Sequence, residues 1–318
     1  MSLHNLMWVE KYRPTKLVDL VNQKDVVGSL SVLLKNPQEM PHLLFSGSAG
    51  VGKTTAALCI SHEILGDHWR DFTLELNASD ERGINMVRER VKKFSRFAGL
   101  DTEIQFKIII LDEADEMTSD AQTALRRIIE DTSKYCRFII IANNISNIID
   151  PIQSRCAVFK FTRIAEKDVV VHLKNIAKKE KVKVDDKGLS AIYDYSEGDL
   201  RHAINVMQAA ASLGSITEEN VKKSAGLTKT NDVDVVLKLA LGGKLADARN
   251  KMIELIKVYG MSESDFLKYI NQSMFKQKND HLEEILQVIA KYDYRILSGA
   301  NPEIQLTALL AELGKFGK

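Results

Sequence analysis

The chain is poor in cysteine, in net charge and in long apolar runs, and each shortage excludes something. Cys59, Cys136 and Cys156 are the three cysteines among 318 residues. They are isolated, odd in number and without metal-ligand spacing, so neither a disulfide framework nor a zinc site is expected and a reducing compartment follows. Lys plus Arg is 44 and Asp plus Glu is 43, a formal net charge of +1. Bulk charge announces no nucleic-acid partner, and any DNA contact must come from a local patch. No apolar run reaches about 18 residues, and the first residues, Met-Ser-Leu-His-Asn, carry no basic region ahead of an apolar one. A soluble, unexported protein with no membrane partner is expected. Low-complexity tracts and fixed-period repeats are also missing, while the length allows two or three domains.

What is present centres on Gly47-Ser48-Ala49-Gly50-Val51-Gly52-Lys53-Thr54. This fits G-x-x-x-x-G-K-[ST], between an apolar strand (His42 to Ser46) and a helix (Thr54 to about Leu65), the context that a phosphate-binding loop requires. Its glycines let backbone N–H groups turn inward around a triphosphate, and the helix adds its positive end. Lys53 would hold the β- and γ-phosphates, Thr54 would offer its hydroxyl to Mg²⁺, and Thr55 would reach the α-phosphate.

Further along, Phe106 to Leu111 is a near-continuous apolar run ending in Asp112-Glu113-Ala114-Asp115. Such runs mark strands buried on both faces of a parallel sheet, and ligands bind outside their carboxyl ends. Asp112 fits the acid that orders Mg²⁺, and Glu113 the base that polarises attacking water. A second buried strand, Arg137 to Ala142, delivers Asn143 to the same edge as an amide able to hold water or the γ-phosphate. Ser154-Arg155-Cys156 precedes a short strand at Val158 to Phe161. Gly198-Asp199-Leu200-Arg201 opens a helix, so Arg201 sits in a first turn where a cation is disfavoured unless an anion is near. The arm Trp8 to Pro14 is either a plain surface segment or a wall over the nucleotide base, with Arg13 and Val21 as candidates. The loop Asn77 to Gly83 and the helix Ile84 to Ala98 form the most basic stretch, with six basic residues between Arg82 and Arg96, suited to phosphate-backbone contact.

Asp-Glu-Ala-Asp also spells an RNA-helicase signature, but no Ser-Ala-Thr motif and no second P-loop domain accompany it. A small GTPase is excluded by the lack of Asn-Lys-x-Asp. The fold class expected is α/β: a P-loop domain with a parallel RecA-like sheet over 1–162, a helical lid over 163–226 in which strands have stopped, and an all-α domain of five helices over 227–318.

Together these motifs resemble the small subunit of replication factor C, the clamp loader of archaea and eukaryotes and a member of the AAA+ ATPases, with Ser-Arg-Cys the most specific mark. The resemblance spans essentially the whole chain. It implies ATP and Mg²⁺ as ligands, a C-terminal collar, and a ring, five-membered in this family, with a large subunit and other small subunits. It also implies a sliding clamp and primer-template DNA as partners. Arg155 then matches an arginine finger reaching a neighbour's ATP, Arg201 a lid sensor in its own subunit, and Asn143 the first sensor. Arg13 and Val21 match the segment that encloses the nucleotide. Arg82, Arg88 and Lys92 match DNA-tracking residues, and Phe97 to Phe106 a clamp-docking region. Family members often carry Pro within the P-loop where this chain has Ser48-Ala49, a departure that leaves the phosphate-binding positions intact. The location implied is cytoplasmic for an archaeal source and nuclear for a eukaryotic one. Two rivals stand beside this reading, another AAA+ DNA-remodelling ATPase and a scaffold subunit that binds ATP with little turnover.

Overall fold

Strands whose residues are all apolar can be buried on both faces, and this is how the first half of the chain is built. The computed structural model describes residues 7–78, 84–96, 106–224, 230–258, 261–276 and 281–317. By its contacts the chain divides into two compact units, 1–216 and 217–318. In the first unit, β1 (His42–Ser46), β2 (Thr73–Asn77), β3 (Lys107–Asp112), β4 (Cys136–Ala142) and β5 (Cys156–Lys160) form a parallel sheet in the order β2-β3-β4-β1-β5.

Alternation along the strands sorts the core into two layers. Leu43, Phe45, Ile108, Ile110, Ile139 and Ile141 face α2 (Lys24–Leu33) and α3 (Lys53–Leu65), while Leu44, Ile109, Leu111, Phe138 and Ile140 face the other side. That other side is covered by α5 (Ile84–Arg96) and α6 (Ser119–Thr132) through Val87, Val91, Leu125, Ile128 and Ile129. Three short helices, α1 (Trp8–Lys11), α4 (Trp69–Phe72) and α7 (Asp150–Gln153), fill connections. Parallel strands with helical crossovers put every carboxyl end on one edge, which gathers the loops after β1, β3 and β4.

Three helices follow in the same unit, α8 (Glu166–Glu180), α9 (Asp186–Ser196) and α10 (Leu200–Ala211), packed through Leu173, Ile192, Ala203 and Met207. One expectation is corrected here. Strands do not stop at 162, because β6 (Lys183–Val184) pairs in parallel with β7 (Ser215–Ile216). A two-residue strand shows no period in sequence, so hydrophobic patterning could not reveal it.

The second unit is helical among its described residues: α11 (Glu218–Ser224), α12 (Thr230–Leu241), α13 (Leu245–Ile253), α14 (Glu263–Lys276), α15 (Leu282–Leu297) and α16 (Pro302–Leu313). Its core is a single cluster that includes Val236, Leu237, Met252, Phe266, Ile289 and Leu310. No described helix is long and apolar enough to cross a membrane. The cysteines are free, and burial pushes the thiols of Cys59 and Cys156 up to about 12 and that of Cys136 to about 11, so all three are protonated.

The entry to β1 carries a pH liability. Phe138 N donates to His42 Nδ1 at 3.1 Å, and burial, aided by the Arg137 charge, lowers the imidazole from 6.5 to about 4. A base depressed in the folded state contributes stability above its unfolded value and loses it as pH falls through the window from 6.5 to about 4. The difference corresponds to on the order of 3 kcal/mol. Urea denaturation of the chain between pH 7.5 and 4.5 is expected to show this loss. His42→Gln, whose side-chain oxygen still accepts, should flatten the dependence, and equal slopes for the two proteins would assign it to other groups.

Candidate functional site

The loop after β1 can close tightly only because two of its residues lack a side chain. A Cβ on Gly47, at φ 146°, would lie 2.3 Å from the Phe161 carbonyl oxygen, and one on Gly50, at φ 68°, would lie 1.8 Å from Asp199 Oδ1. Both positions have conformations that L side chains adopt at a cost. Inside the closed loop Lys53 is 6% exposed. Its ammonium donates to Gly47 O at 2.6 Å, Ser48 O at 2.7 Å and Asn143 Oδ1 at 2.9 Å. Burial lowers its pKa, and the carboxylates of Asp112 and Asp115 act in the opposite direction.

The carboxyl end of β3 stands opposite. Thr54 Oγ1 donates to Asp112 Oδ2 at 2.6 Å, and the other oxygen of Asp112 accepts from Glu113 N at 2.9 Å. A hydroxyl beside a carboxylate is a hard oxygen donor pair, the kind that Mg²⁺ takes together with phosphate and water. Glu113 follows in left-handed backbone, φ 55° and ψ 36°, a conformation uncommon outside glycine and frequent at functional sites.

One cavity joins these groups. Ala49 to Thr55, Asp112, Glu113, Asn143 and Arg201 line it. Gly47 and Ser48 stand outside that lining and contribute their carbonyls to Lys53 instead. The lining also includes the apolar side chains of Val9, Val21, Ile164 and Ile204, together with Tyr12, Arg13 and His172. Burial lowers the His172 pKa, assisted by Lys179, which favours the neutral imidazole. The N-terminal arm is anchored on α8 and α10: Trp8 N donates to Gln208 Oε1 at 2.8 Å, and Glu180 Oε1 accepts from Tyr12 Oη at 2.5 Å and Lys11 Nζ at 2.6 Å. Arg13 pairs with Glu10 at 2.5 Å.

Two predicted groups lie elsewhere. Arg155 does not line the cavity; it is exposed, pairs with Glu130 of α6 at 2.6 Å and donates to Pro151 O at 2.8 Å. Arg88 and Lys92 are exposed on α5. Arg82 and residues 97–105 lie outside the described residues, so the predicted DNA and clamp segments are described only in part.

Comparison with known proteins gives three successive family matches: "ATPase family associated with various cellular activities (AAA)" over 43–163, the "RCF1/5-like, AAA+ ATPase lid domain" over 172–212, and the "Replication factor C C-terminal domain" over 229–312. The replication factor C small subunit of Staphylothermus marinus is 47% identical over 98% of this chain and 96% of its own length. The chain belongs to the replication factor C small-subunit family. Its relative from Aeropyrum pernix is 48% identical over 98% of this chain and 97% of its own, and that from Sulfurisphaera tokodaii 47% over 100% and 98%. Among solved structures, a RuvB variant of Thermotoga maritima superposes with TM-score 0.56 at 17% identity, covering 80% of this chain and 84% of that one. At that identity the likeness concerns the fold alone. Membership in this family supports ATPase activity and nucleotide binding for the chain.

Sequence reasoning passed over Gln122, which is 2% exposed on α6 of this replication factor C fold. Its amide donates to Met117 O at 3.2 Å and Asn147 O at 2.7 Å and accepts from Ile149 N at 2.9 Å. It thereby fixes the segment between Asn143 and Arg155 against α6. A glutamine within a helical pattern gives no such signal, because its partners are up to 27 residues away. Gln122→Ala strands the three part-buried backbone groups it bonds, so a loss of about 2 to 4 kcal/mol in denaturant unfolding is expected. Gln122→Glu, which lacks both donors, should recover little; a cost for Gln122→Ala within about 0.5 kcal/mol, the range of surface changes, would show that the three bonds do not hold this segment.

Proposed function

We propose that the chain is a clamp-loader small subunit: ATP binding across subunit interfaces opens a sliding clamp and holds it on primer-template DNA, and hydrolysis releases it. One observation carries the reading. The cavity gathers Lys53, Thr54, Asp112, Glu113, Asn143 and Arg201, while the arginine of the Ser-Arg-Cys triplet, Arg155, lies outside it on an exposed surface. An arginine so placed serves a neighbour's nucleotide better than its own.

In this reading Lys53 and the loop amides hold the triphosphate, and Arg201 approaches it from the lid. Glu113 accepts a proton from the attacking water, whose position Asn143 fixes. Thr54 and Asp112 would hold Mg²⁺, which when bound neutralises developing phosphate charge. Val9, Tyr12 and Val21 exclude water from the base end. Arg155 in trans stabilises charge on the transferring phosphoryl group. Arg88 and Lys92, with Arg82, track the DNA backbone inside a ring of five subunits. The domain division carried with this proposal is 1–162, 163–226 and 227–318, the last being the collar through which subunits assemble with the large subunit. The archaeal relatives support a cytoplasmic location.

Two measurements test the reading on complexes assembled with the large subunit. Arg155→Ala and Lys53→Ala proteins are each expected to lose roughly 10³-fold or more in turnover, the scale of arginine fingers elsewhere. Assembled together, they regenerate interfaces with an intact loop facing an intact finger, and partial activity returns. No recovery would mean that Arg155 acts within its own subunit. Separately, steady-state hydrolysis should be greatest with primer-template and clamp present together. A rate indifferent to both, with the large subunit supplied, would remove the loader function and promote another remodelling role.

A further inference from the structure

The backbone beyond β4 poses a problem that the sheet does not solve. The β3–β4 ladder pairs Leu111 with Ile140, and β3 ends at Asp112 before the chain turns away at Glu113. On the other flank the β1 ladder ends at Ser46 against Ala142. The N–H groups of Asn143 and Asn144 therefore emerge past both neighbours and need partners of another kind.

Asp115 supplies them. Its carboxylate accepts from Asn143 N at 3.1 Å through each oxygen and from Asn144 N at 2.9 Å. The residue is 8% exposed, so the bonds are shielded from water. It sits in the short turn Ala114–Glu116, whose first residues follow Glu113, and Glu116 N closes that turn on Glu113 O at 3.0 Å. Asn143 in turn accepts from Lys53 Nζ at 2.9 Å through its side-chain oxygen.

We propose that Asp115 is a positioning residue for hydrolysis: its carboxylate ties the loop that carries Glu113 to the strand end that carries Asn143, so that water activation and phosphate sensing are set as one rigid piece. The inference rests on the reading of Asn143 as the group that faces the γ-phosphate or the attacking water. A carboxylate is suited to the task because it accepts twice and donates nothing, and charge-assisted bonds to backbone N–H are short and strong. An amide at this position would turn one acceptor into a donor aimed at N–H groups. The same charge also favours the ammonium of Lys53.

The test uses the complex assembled with the large subunit and four small-subunit versions: wild type, Asp115→Asn, Asn143→Ala and the double variant. Read-outs are the affinity for a non-hydrolysable ATP analogue, single-turnover hydrolysis, and hydrogen exchange at the amides of 143 and 144. Asp115→Asn should raise exchange at those two amides, lower hydrolysis about 10- to 100-fold, and leave analogue affinity within about threefold. In the Asn143→Ala background it should cost less than in the wild type, because the part of its effect that passes through the Asn143 side chain is already gone while the part that passes through Glu113 remains.

Losses that multiply in the double variant, with Asn143→Ala damaging on its own, would overturn the positioning role while leaving the sensor reading intact. Asn143→Ala at wild-type rate would instead overturn the sensor reading, and the proposal with it. Unchanged exchange in Asp115→Asn would overturn the contact itself. Asp115→Glu keeps both acceptors and should retain more hydrolysis than Asp115→Asn. If neither variant assembles, Asp115 is a structural cap and the proposal fails.

Discussion

A buried ammonium sets the terms for the rest of the cavity. Lys53 is 6% exposed, and an unpaired charge there would cost several kcal/mol. Three short bonds to two loop carbonyls and the Asn143 side chain compensate it, with Asp112 and Asp115 acting through space. Those bonds dictate the curvature of the loop, since Gly47 and Ser48 must turn their carbonyls inward toward the lysine. They also require the ends of β1, β3 and β4 to stop at one edge. A triphosphate entering the cavity presents oxygen acceptors of higher charge, so it competes directly for the same donor. Asn143 is then the partner most easily released, being an exposed side chain rather than a loop carbonyl.

The same loop is in register with the lid helices. Leu200 N donates to Gly50 O at 3.1 Å, and the Asp199 carboxylate caps α10 through His202 N at 2.8 Å while occupying the space a Gly50 side chain would need. Gln23, 3% exposed, donates to Thr162 O at 2.8 Å and to Val51 O at 3.4 Å, so the chain segment leading out of the sheet is bonded to the residue that precedes α2. The arm adds a third tie through Trp8, Lys11 and Tyr12 on α8 and α10. The loop is thus joined to the lid helices by a backbone hydrogen bond from Leu200 N to Gly50 O as well as by contact.

How much of this was legible in the sequence depends on distance along the chain. The P-loop, Asp112 and Glu113 were readable because the chemistry lies within a few residues of its own strand and helix. The doubly buried strands were readable from their apolar runs, and the helices from periodicity. Asp115 was readable only as part of an acidic string: its partners are 28 and 29 residues on, and pairing across parallel strands has no local signature. The bond from Trp8 to Gln208 spans 200 positions and is invisible to any window. His172, Gln122 and the β6–β7 pair fail for the same reason: their partners are set by topology. Arg155 is the reverse case, since its triplet was legible while its position outside its own cavity needed coordinates.

That position has an electrostatic logic. The cavity lining carries the cations Arg13, Lys53 and Arg201 and the carboxylates Asp112 and Glu113, with Asp199 against the loop. Taken together these charges do not exceed neutrality on the positive side, and a triphosphate adds several negative charges. Ground-state binding can be met by loop amides and a divalent cation, but charge that develops on the transferring group calls for a further cation. The chain keeps its spare arginine on an exposed ion pair with Glu130, 2.6 Å long with both side chains 39% exposed. Pairs so open to water are worth about 0 to 1 kcal/mol, little enough for a phosphate to win. The pair with Glu130 and the bond to Pro151 O at 2.8 Å hold Arg155 in place on its own surface, and a more highly charged anion would displace the carboxylate at low cost.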